Sequence, residues 1–134
     1  MIMKSRIASK RIGISIFLIA VLLIGPVVFA EAGWIGVSNF AGGKLLIWNP
    51  SRTDGERVFW EGGKISCYEL TGQESGFPLY YVHGYGKAIW YINDAFEQSD
   101  EGYHYGGKRH GKIIQRFADG RVIESYWEHG VRIK

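Results

Sequence analysis

The spacing of glycine is the feature of this sequence that most restricts its fold. Beyond residue 32, no stretch of twelve residues lacks glycine and proline while also carrying apolar residues at helical spacing. Glycine inside a helix costs about 1 kcal/mol relative to alanine, so long helices are poorly supported here. The glycines of this region are Gly33, Gly36, Gly42, Gly43, Gly55, Gly62, Gly63, Gly72, Gly76, Gly84, Gly86, Gly102, Gly106, Gly107, Gly111, Gly120 and Gly130.

Short runs rich in β-branched and aromatic residues lie between these glycines and predict strands. The runs are residues 45–48, 58–60, 79–83, 88–92, 112–117 and 122–127. Side-chain alternation places Ile113 and Phe117 on one side of their strand, and Ile123 and Trp127 on one side of the next. The sequence therefore predicts an all-β chain whose strands have two distinct faces.

Turn residues at fixed places predict that neighbouring strands form hairpins. Asp119-Gly120 separates the last two runs, and both residue types tolerate the positive φ of a tight hairpin turn. Asn93-Asp94 and Thr53-Asp54-Gly55 have a similar role before or after other runs. The predicted architecture is a meander, in which each strand pairs with the one before it.

The segments also repeat along the chain. Glu101-Gly102 and Gly107 match Glu124-Ser125 and Gly130 at a spacing of 23 residues, so each unit is about one hairpin long. The repeated pattern consists of Glu101-Gly102, Gly107-Lys108-Arg109-His110-Gly111-Lys112, Phe117-Ala118-Asp119-Gly120, Glu124 and Trp127-Glu128-His129-Gly130.

This pattern resembles the MORN (membrane occupation and recognition nexus) repeat family. The resemblance covers residues 100–134 well, residues 84–99 in part and residues 44–66 more weakly. It implies stacked β-hairpin repeats that form one extended, twisted sheet. It also implies a role in binding lipid head groups or in protein assembly.

A stacked aromatic face is expected to hold such a sheet together. Residues 31–134 contain eighteen aromatic side chains, and glycine opposite an aromatic ring leaves bare backbone on which the ring can lie. Trp60 and Trp127 occupy equivalent positions in their repeats, so both are expected to be buried. The predicted structural face consists of Trp60, Trp90, Phe117 and Trp127.

The N-terminus predicts export from the cytoplasm. Residues 1–11 carry four basic and no acidic side chains, and residues 12–30 carry no charge. Pro26 and the sequence Val28-Phe29-Ala30 fit the end of a signal peptide cleaved after Ala30, with cleavage after Ala32 as the second choice. The alternative is an uncleaved membrane anchor formed by residues 12–30. Either interpretation leaves residues 31–134 as one exported domain, in the periplasm or outside the cell.

Net charge argues against nucleic acid as a partner. The whole chain is +3, but residues 31–134 contain twelve basic and thirteen acidic residues and are therefore at −1. The high isoelectric point belongs to the N-terminal segment. The single cysteine, Cys67, excludes an internal disulfide, and its mostly apolar surroundings in sequence favour a buried thiol.

No catalytic, metal or cofactor motif emerges from the sequence. The four histidines have no short ligand spacing. Asp100-Glu101 is expected to be a polar turn, because a catalytic dyad needs two carboxyls that face each other across a cleft. The histidines are His83, His104, His110 and His129.

The densest basic stretch is the one candidate binding segment. Lys108, Arg109, His110 and Lys112 are flanked by glycines and are expected to form an exposed loop. That loop is either a solvated turn or a segment that binds anionic lipid. The expected function is a non-enzymatic envelope module that binds a protein or anionic lipid head groups, with self-association also open. The alternative is a small exported hydrolase or metal enzyme with a histidine-containing site.

Overall fold

The computed structural model describes residues 33–134. These residues are mostly β and form one eight-stranded sheet with one short helix. The elements are β1 (Trp34–Gly36), β2 (Lys44–Trp48), β3 (Glu56–Ser66), α1 (Cys67–Thr71), β4 (Leu79–Ile92), β5 (Ala95–Tyr105), β6 (Lys108–Phe117), β7 (Val122–Glu128) and β8 (Val131–Arg132). The prediction that the chain is mostly β and folds as a meander of strands is confirmed.

Six strands, β3 to β8, follow one another as antiparallel neighbours in chain order. The predicted turn at Asn93-Asp94 joins β4 to β5, and both residues have positive φ, of 50° and 67°. The turn between β6 and β7 contains Gly120 at φ 93°. Asparagine, aspartate and glycine at these turns therefore determine where the chain reverses.

Two strand predictions differ from the structure. Residues 79–83 and 88–92 belong to one continuous strand, β4, because Gly84 and Gly86 continue its ladder instead of ending it. The strand β5 was not predicted, since residues 95–105 contain few β-branched residues and several charges. It forms because both of its edges are paired, with β4 on one side and β6 on the other.

The first two strands close the sheet in a way that the sequence did not predict. The strand β2 runs parallel to the start of β4 and antiparallel to β1. Its end abuts the β5–β6 turn, where Trp48 N donates to the Gly107 carbonyl at 2.8 Å and Gly107 N donates to the Val82 carbonyl at 2.8 Å. The loop after β1 covers the edge of β3 that does not pair with β4. There the Asn39 amide donates to the Trp60 carbonyl and accepts from Trp60 N, each at 3.0 Å. The sheet is therefore curled.

The helix α1 was not predicted, although a capping pattern in the sequence marks its start. Ser66 accepts a hydrogen bond from Glu69 N at 3.0 Å, and the Glu69 carboxylate accepts one from Ser66 N at 3.2 Å. This reciprocal pair is a capping box, and Gly72 ends the helix at φ 78°. Cys67 lies in this helix and is half-buried, so the expectation of a buried thiol is wrong.

One side of the curled sheet, called the inner face below, carries the core. The Trp60 ring lies on bare backbone, since a Cβ on Gly62 would sit 2.6 Å from Trp60 Cζ2 and one on Gly86 would clash with the same ring. These two glycines are opposite each other in the ladder. Trp60 belongs to a buried core cluster whose other members come from β1 to β4 and from the residue after β1: Ile35, Val37, Leu45, Ile47, Val58, Val82, Ala88 and Trp90.

The strand register also explains the 23-residue spacing. Glu101 and Glu124 lie on either side of Ile114, and Gly102 and Ser125 lie on either side of Ile113. Equivalent residues therefore occupy the same transverse row, two strands apart.

The predicted signal peptide or anchor, residues 1–30, lies outside the described residues. Within residues 33–134, no helix has the length and apolar character needed to span a bilayer.

Candidate functional site

A buried carboxylate organises the inner face beyond the apolar core. Asp100 is fully buried in the middle of β5, opposite Ala88 on one side and Gln115 on the other. The expectation that Asp100-Glu101 forms a polar turn is wrong. The two residues lie within a strand and point to opposite faces, and Glu101 pairs with Arg116 at 3.1 Å.

Four side chains donate hydrogen bonds to Asp100. Arg109 contributes two, from Nη2 at 2.6 Å and from Nε at 3.2 Å. Trp90 Nε1 donates at 3.0 Å, Gln98 Nε2 at 2.8 Å and Gln115 Nε2 at 3.2 Å. Burial of a charge is costly unless it is paired and hydrogen-bonded, and this network supplies both forms of compensation.

Arg109 is held in place from two directions. Its side chain is only 13% exposed, and its guanidinium lies 4.7 Å from the centre of the Trp127 ring. Trp127 Nε1 in turn donates to Ser125 Oγ at 2.8 Å. The stacked ring and the buried carboxylate therefore give the guanidinium a single orientation.

His104 lies on the same face and is also fully buried. Its ring meets Trp60 edge-on at 4.8 Å between centroids, and its Nε2 atom has no hydrogen-bond partner among the described residues. Burial, followed by the positive charge of Arg109, lowers the pKa of His104 to about 4. The imidazole is therefore neutral near pH 7.

A pocket of about 200 Å³ opens beside Arg109. Its walls come from the β2–β3 loop, from the ends of β4 and β5, and from β6. Eight residues accompany Arg109 in the lining: Asn49, Ser51, Thr53, Glu56, Trp90, Ile92, Glu97 and Gln98.

The loop wall of this pocket is organised by Glu56. Its carboxylate accepts hydrogen bonds from Asn49 Nδ2 at 3.1 Å and from Thr53 N at 3.3 Å. Burial raises the pKa of Glu56. Side-chain hydrogen bonds within the loop thus shape the wall.

The basic segment is not the exposed loop that was expected. Residues 108–112 begin the strand β6, and the hairpin turn lies before them at Gly106-Gly107. Since neighbouring side chains in a strand point to opposite faces, Arg109 points inward while Lys108, His110 and Lys112 do not.

The charges of this segment are also engaged within the fold. Lys108 Nζ lies 4.9 Å from the Trp48 ring centre and 5.9 Å from that of Trp34. Lys112 pairs with Glu124 at 2.9 Å, and this contact raises the pKa of Lys112. The segment therefore does not present its cations together on one surface.

The opposite side of the sheet, called the outer face below, carries a cluster of rings. The His83 ring lies 5.0 Å from Tyr105, Tyr105 lies 5.7 Å from His129, and His129 lies 4.6 Å from His110. Backbone contacts orient two of the rings, since His83 Nδ1 accepts from Gly106 N and His110 Nδ1 accepts from His129 N. Three tyrosines beside or within this cluster are exposed, namely Tyr85, Tyr103 and Tyr105.

The four aromatic residues predicted for a structural face all lie on the inner face, but they are buried to different extents. Trp60 and Trp90 are buried, whereas Phe117 and Trp127 are half-buried. The expectation that Trp127 is as buried as Trp60 is wrong. Trp127 lies near the end of the sheet, where the two-residue β8 is the last strand.

The network of Asp100, Gln98 and Gln115 was not predicted from the sequence, although a sequence pattern indicates it. A shift of 23 residues aligns Asp100 with Ile123, and these two residues flank Gln115 in one row. An apolar residue in the equivalent position indicates that Asp100 faces the core. No comparable pattern marks the pocket wall of residues 49–56.

Among residues 33–134, no three histidine, cysteine, aspartate or glutamate side chains converge as a metal site would require. Comparisons of the chain with protein-family models, with curated proteins and with solved structures found no match.

Proposed function

We propose that residues 33–134 are a non-enzymatic binding module of the cell envelope that holds a protein partner on the outer face. The observation that carries this proposal is the exposed ring cluster. Tyr85, Tyr103 and Tyr105 are 67%, 40% and 44% exposed, in a fold that buries most of its other large rings at least in part.

The chemistry of the cluster suits a protein surface. Aromatic residues are enriched at the centres of protein interfaces, because a rigid ring buries a large area at a small entropic cost. Hydroxyl and imidazole groups at the ring edges add hydrogen bonds. The ladder of β4, β5 and β6 keeps the rings in fixed positions, so little ordering is needed on binding.

Anionic lipid is less well supported as the partner. Adsorption to such a surface needs several cations that face it together. Arg109 is paired with Asp100, and Lys112 is paired with Glu124. Export to the periplasm or beyond remains part of the proposal, and it rests on the charge pattern of residues 1–30.

The alternative of an exported hydrolase or metal enzyme has less support than binding. An acid–base site needs titratable groups that face each other in a cleft sheltered from water. His83, His110 and His129 lie on the open outer face, and the pocket beside Arg109 is lined by no histidine among the described residues. His104 is sealed beneath Trp60.

Membership of the MORN-repeat family is a proposal as well. The shared rows of Glu101 with Glu124 and of Gly102 with Ser125 support it, because they are the pattern expected of stacked hairpin units.

Site-specific photo-cross-linking in intact cells that export the chain tests the proposed function. A photoreactive phenylalanine analogue at Tyr103 is expected to trap one discrete partner, and Tyr85→Ser in the same chain is expected to reduce that product. The matched control places the analogue at Phe96, which is 41% exposed at the start of β5, seven residues along the strand from Tyr103.

A product that forms equally well from position 96, or that persists in the Tyr85→Ser chain, would refute a partner held by the ring cluster. A product with twice the mass of the chain would identify the partner as a second copy.

A further inference from the structure

The pocket beside Arg109 is lined almost entirely by polar side chains and lies on the inner face, away from the ring cluster. The pocket lies beside the buried Asp100 network, which holds several of its lining side chains in place. We infer that this pocket binds a single neutral, hydroxyl-rich ring, that is, one unit of a saccharide.

The charges around the pocket disfavour an ionic ligand. Glu56 and Glu97 line it, so an anion would meet two carboxylates. Arg109 is the only cation among the described lining residues, and Asp100 already occupies its Nε and Nη2 donors. A carboxylate or phosphate normally uses that paired fork. A cationic ligand would gain little from Glu56, because Arg52 and Arg109 already act electrostatically on that carboxylate.

The hydrogen-bonding groups of the pocket match hydroxyls. Each hydroxyl both donates and accepts. The Glu56 and Glu97 carboxylates can accept from it, while Arg109 and the hydroxyls of Ser51 and Thr53 can donate to it. A neutral ring with several hydroxyls uses both kinds of group without bringing a charge into the site.

The size of the pocket limits the ligand to one ring. Its volume of about 200 Å³ is smaller than the roughly 300–1,000 Å³ that is usual for drug-sized ligands. Ile92 in its wall is apolar and half-buried, and it can contact the C–H surface of such a ring.

The network behind the pocket organises it in advance. Asp100 binds three lining residues at once, Arg109, Gln98 and Trp90. Apolar residues in place of such a buried ion pair are often neutral or stabilising, so stability alone gives little reason for it. Fixed orientation of binding groups is the gain that this arrangement provides. Asp100 is therefore a positioning residue for the pocket.

Saturation-transfer NMR on the full chain tests this inference, with the chain purified in a detergent that has no sugar headgroup. The probes are glucose, galactose and N-acetylglucosamine, with acetate as an anionic and ethylamine as a cationic comparison. A ligand of this size is expected to bind with a dissociation constant of about 1 mM or weaker, which suits this method.

At least one of the sugars is expected to receive saturation from the protein, whereas acetate and ethylamine are not. Thr53→Val removes a hydroxyl, and Glu97→Gln replaces one carboxylate acceptor with an amide donor. Each should weaken binding by about threefold or more. Glu101→Gln makes the same chemical change on the same strand but outside the pocket, and it should leave binding unchanged.

Binding of acetate or ethylamine in place of the sugars would overturn the inference, as would the absence of any sugar signal. Sugar binding that is unaffected by both pocket substitutions would also overturn it, because the sugar would then bind elsewhere. The pocket and the outer-face cluster share no residue, so this result and the cross-linking result are distinguishable.

Discussion

Protonation of His104 provides a direct test of how the inner face is stabilised. Its imidazole is buried against Trp60 and near Arg109, and its pKa is about 4 in the folded chain, against an ordinary value of 6.5. Between these two values the unfolded chain binds more protons than the folded chain. The free energy of unfolding therefore falls as the pH decreases from about 6.5 to about 4, and this contribution is fully present above 6.5.

The size of the effect follows from the two pKa values. Each tenfold change in proton affinity corresponds to about 1.4 kcal/mol, so the complete loss is about 3 kcal/mol, of which about 2 kcal/mol is lost by pH 5. We expect His104→Phe to remove this loss. The change should cost about 1 kcal/mol at pH 7.5, because a phenyl ring forfeits the 3.4 Å hydrogen bond between His104 Nδ1 and the Gly102 carbonyl, whereas Nε2 makes none.

Urea unfolding at pH 7.5 and pH 5.0 measures this difference. The parent chain should lose about 2 kcal/mol more than His104→Phe over this interval. His129→Asn is the matched control: it removes an exposed imidazole at a turn position with φ 48°, which asparagine tolerates. Equal losses in the parent and in His104→Phe would refute the assignment of a buried, neutral His104.

Three further results are expected. Trp60→Ala should lower the free energy of unfolding by about 3–5 kcal/mol, and Trp127→Ala by less because that ring is half-buried; urea midpoints compare the two, and an equal loss would contradict their different burial. Asp100→Asn should cost about 3–5 kcal/mol because it leaves the Arg109 charge buried without a counter-ion, whereas Asp100→Asn combined with Arg109→Met, which keeps an acceptor for Trp90 and the two glutamines, should recover part of that loss in thermal unfolding; no recovery would mean that the charges are not coupled. Intact-mass analysis of protein from an exporting cell should show removal of residues 1–30, and a full-length species in the membrane fraction would favour the anchor instead.

The sequence predicted the local features of the fold. Asn93-Asp94 and Asp119-Gly120 mark hairpin turns because few residue types accept positive φ, and this preference acts within a few residues. Alternation along β6 and β7 assigned Ile113, Phe117, Ile123 and Trp127 to one face, because the direction of a strand side chain also depends only on its near neighbours in sequence.

Tertiary structure decided where the polar residues lie. In its local sequence, Asp100 is typical of a turn, and Arg109 is typical of a solvated loop. They become a buried pair only because β5 aligns with β6, which brings together groups nine residues apart. Desolvation and pairing depend on those cross-strand neighbours, so the local sequence does not show the outcome.

The pocket depends on contacts at still longer range. Residues 49–56 come from the loop after β2, which takes its place only through a parallel pairing with β4 and a backbone contact with the β5–β6 turn. Hairpin signals are local, whereas a parallel pairing carries no turn signature and is set by how the whole sheet curls. The sequence by itself therefore determined most of the longer strands, the hairpin turns and the apolar side of β6 and β7. The closed sheet decided which polar groups were buried together and where the pocket opened.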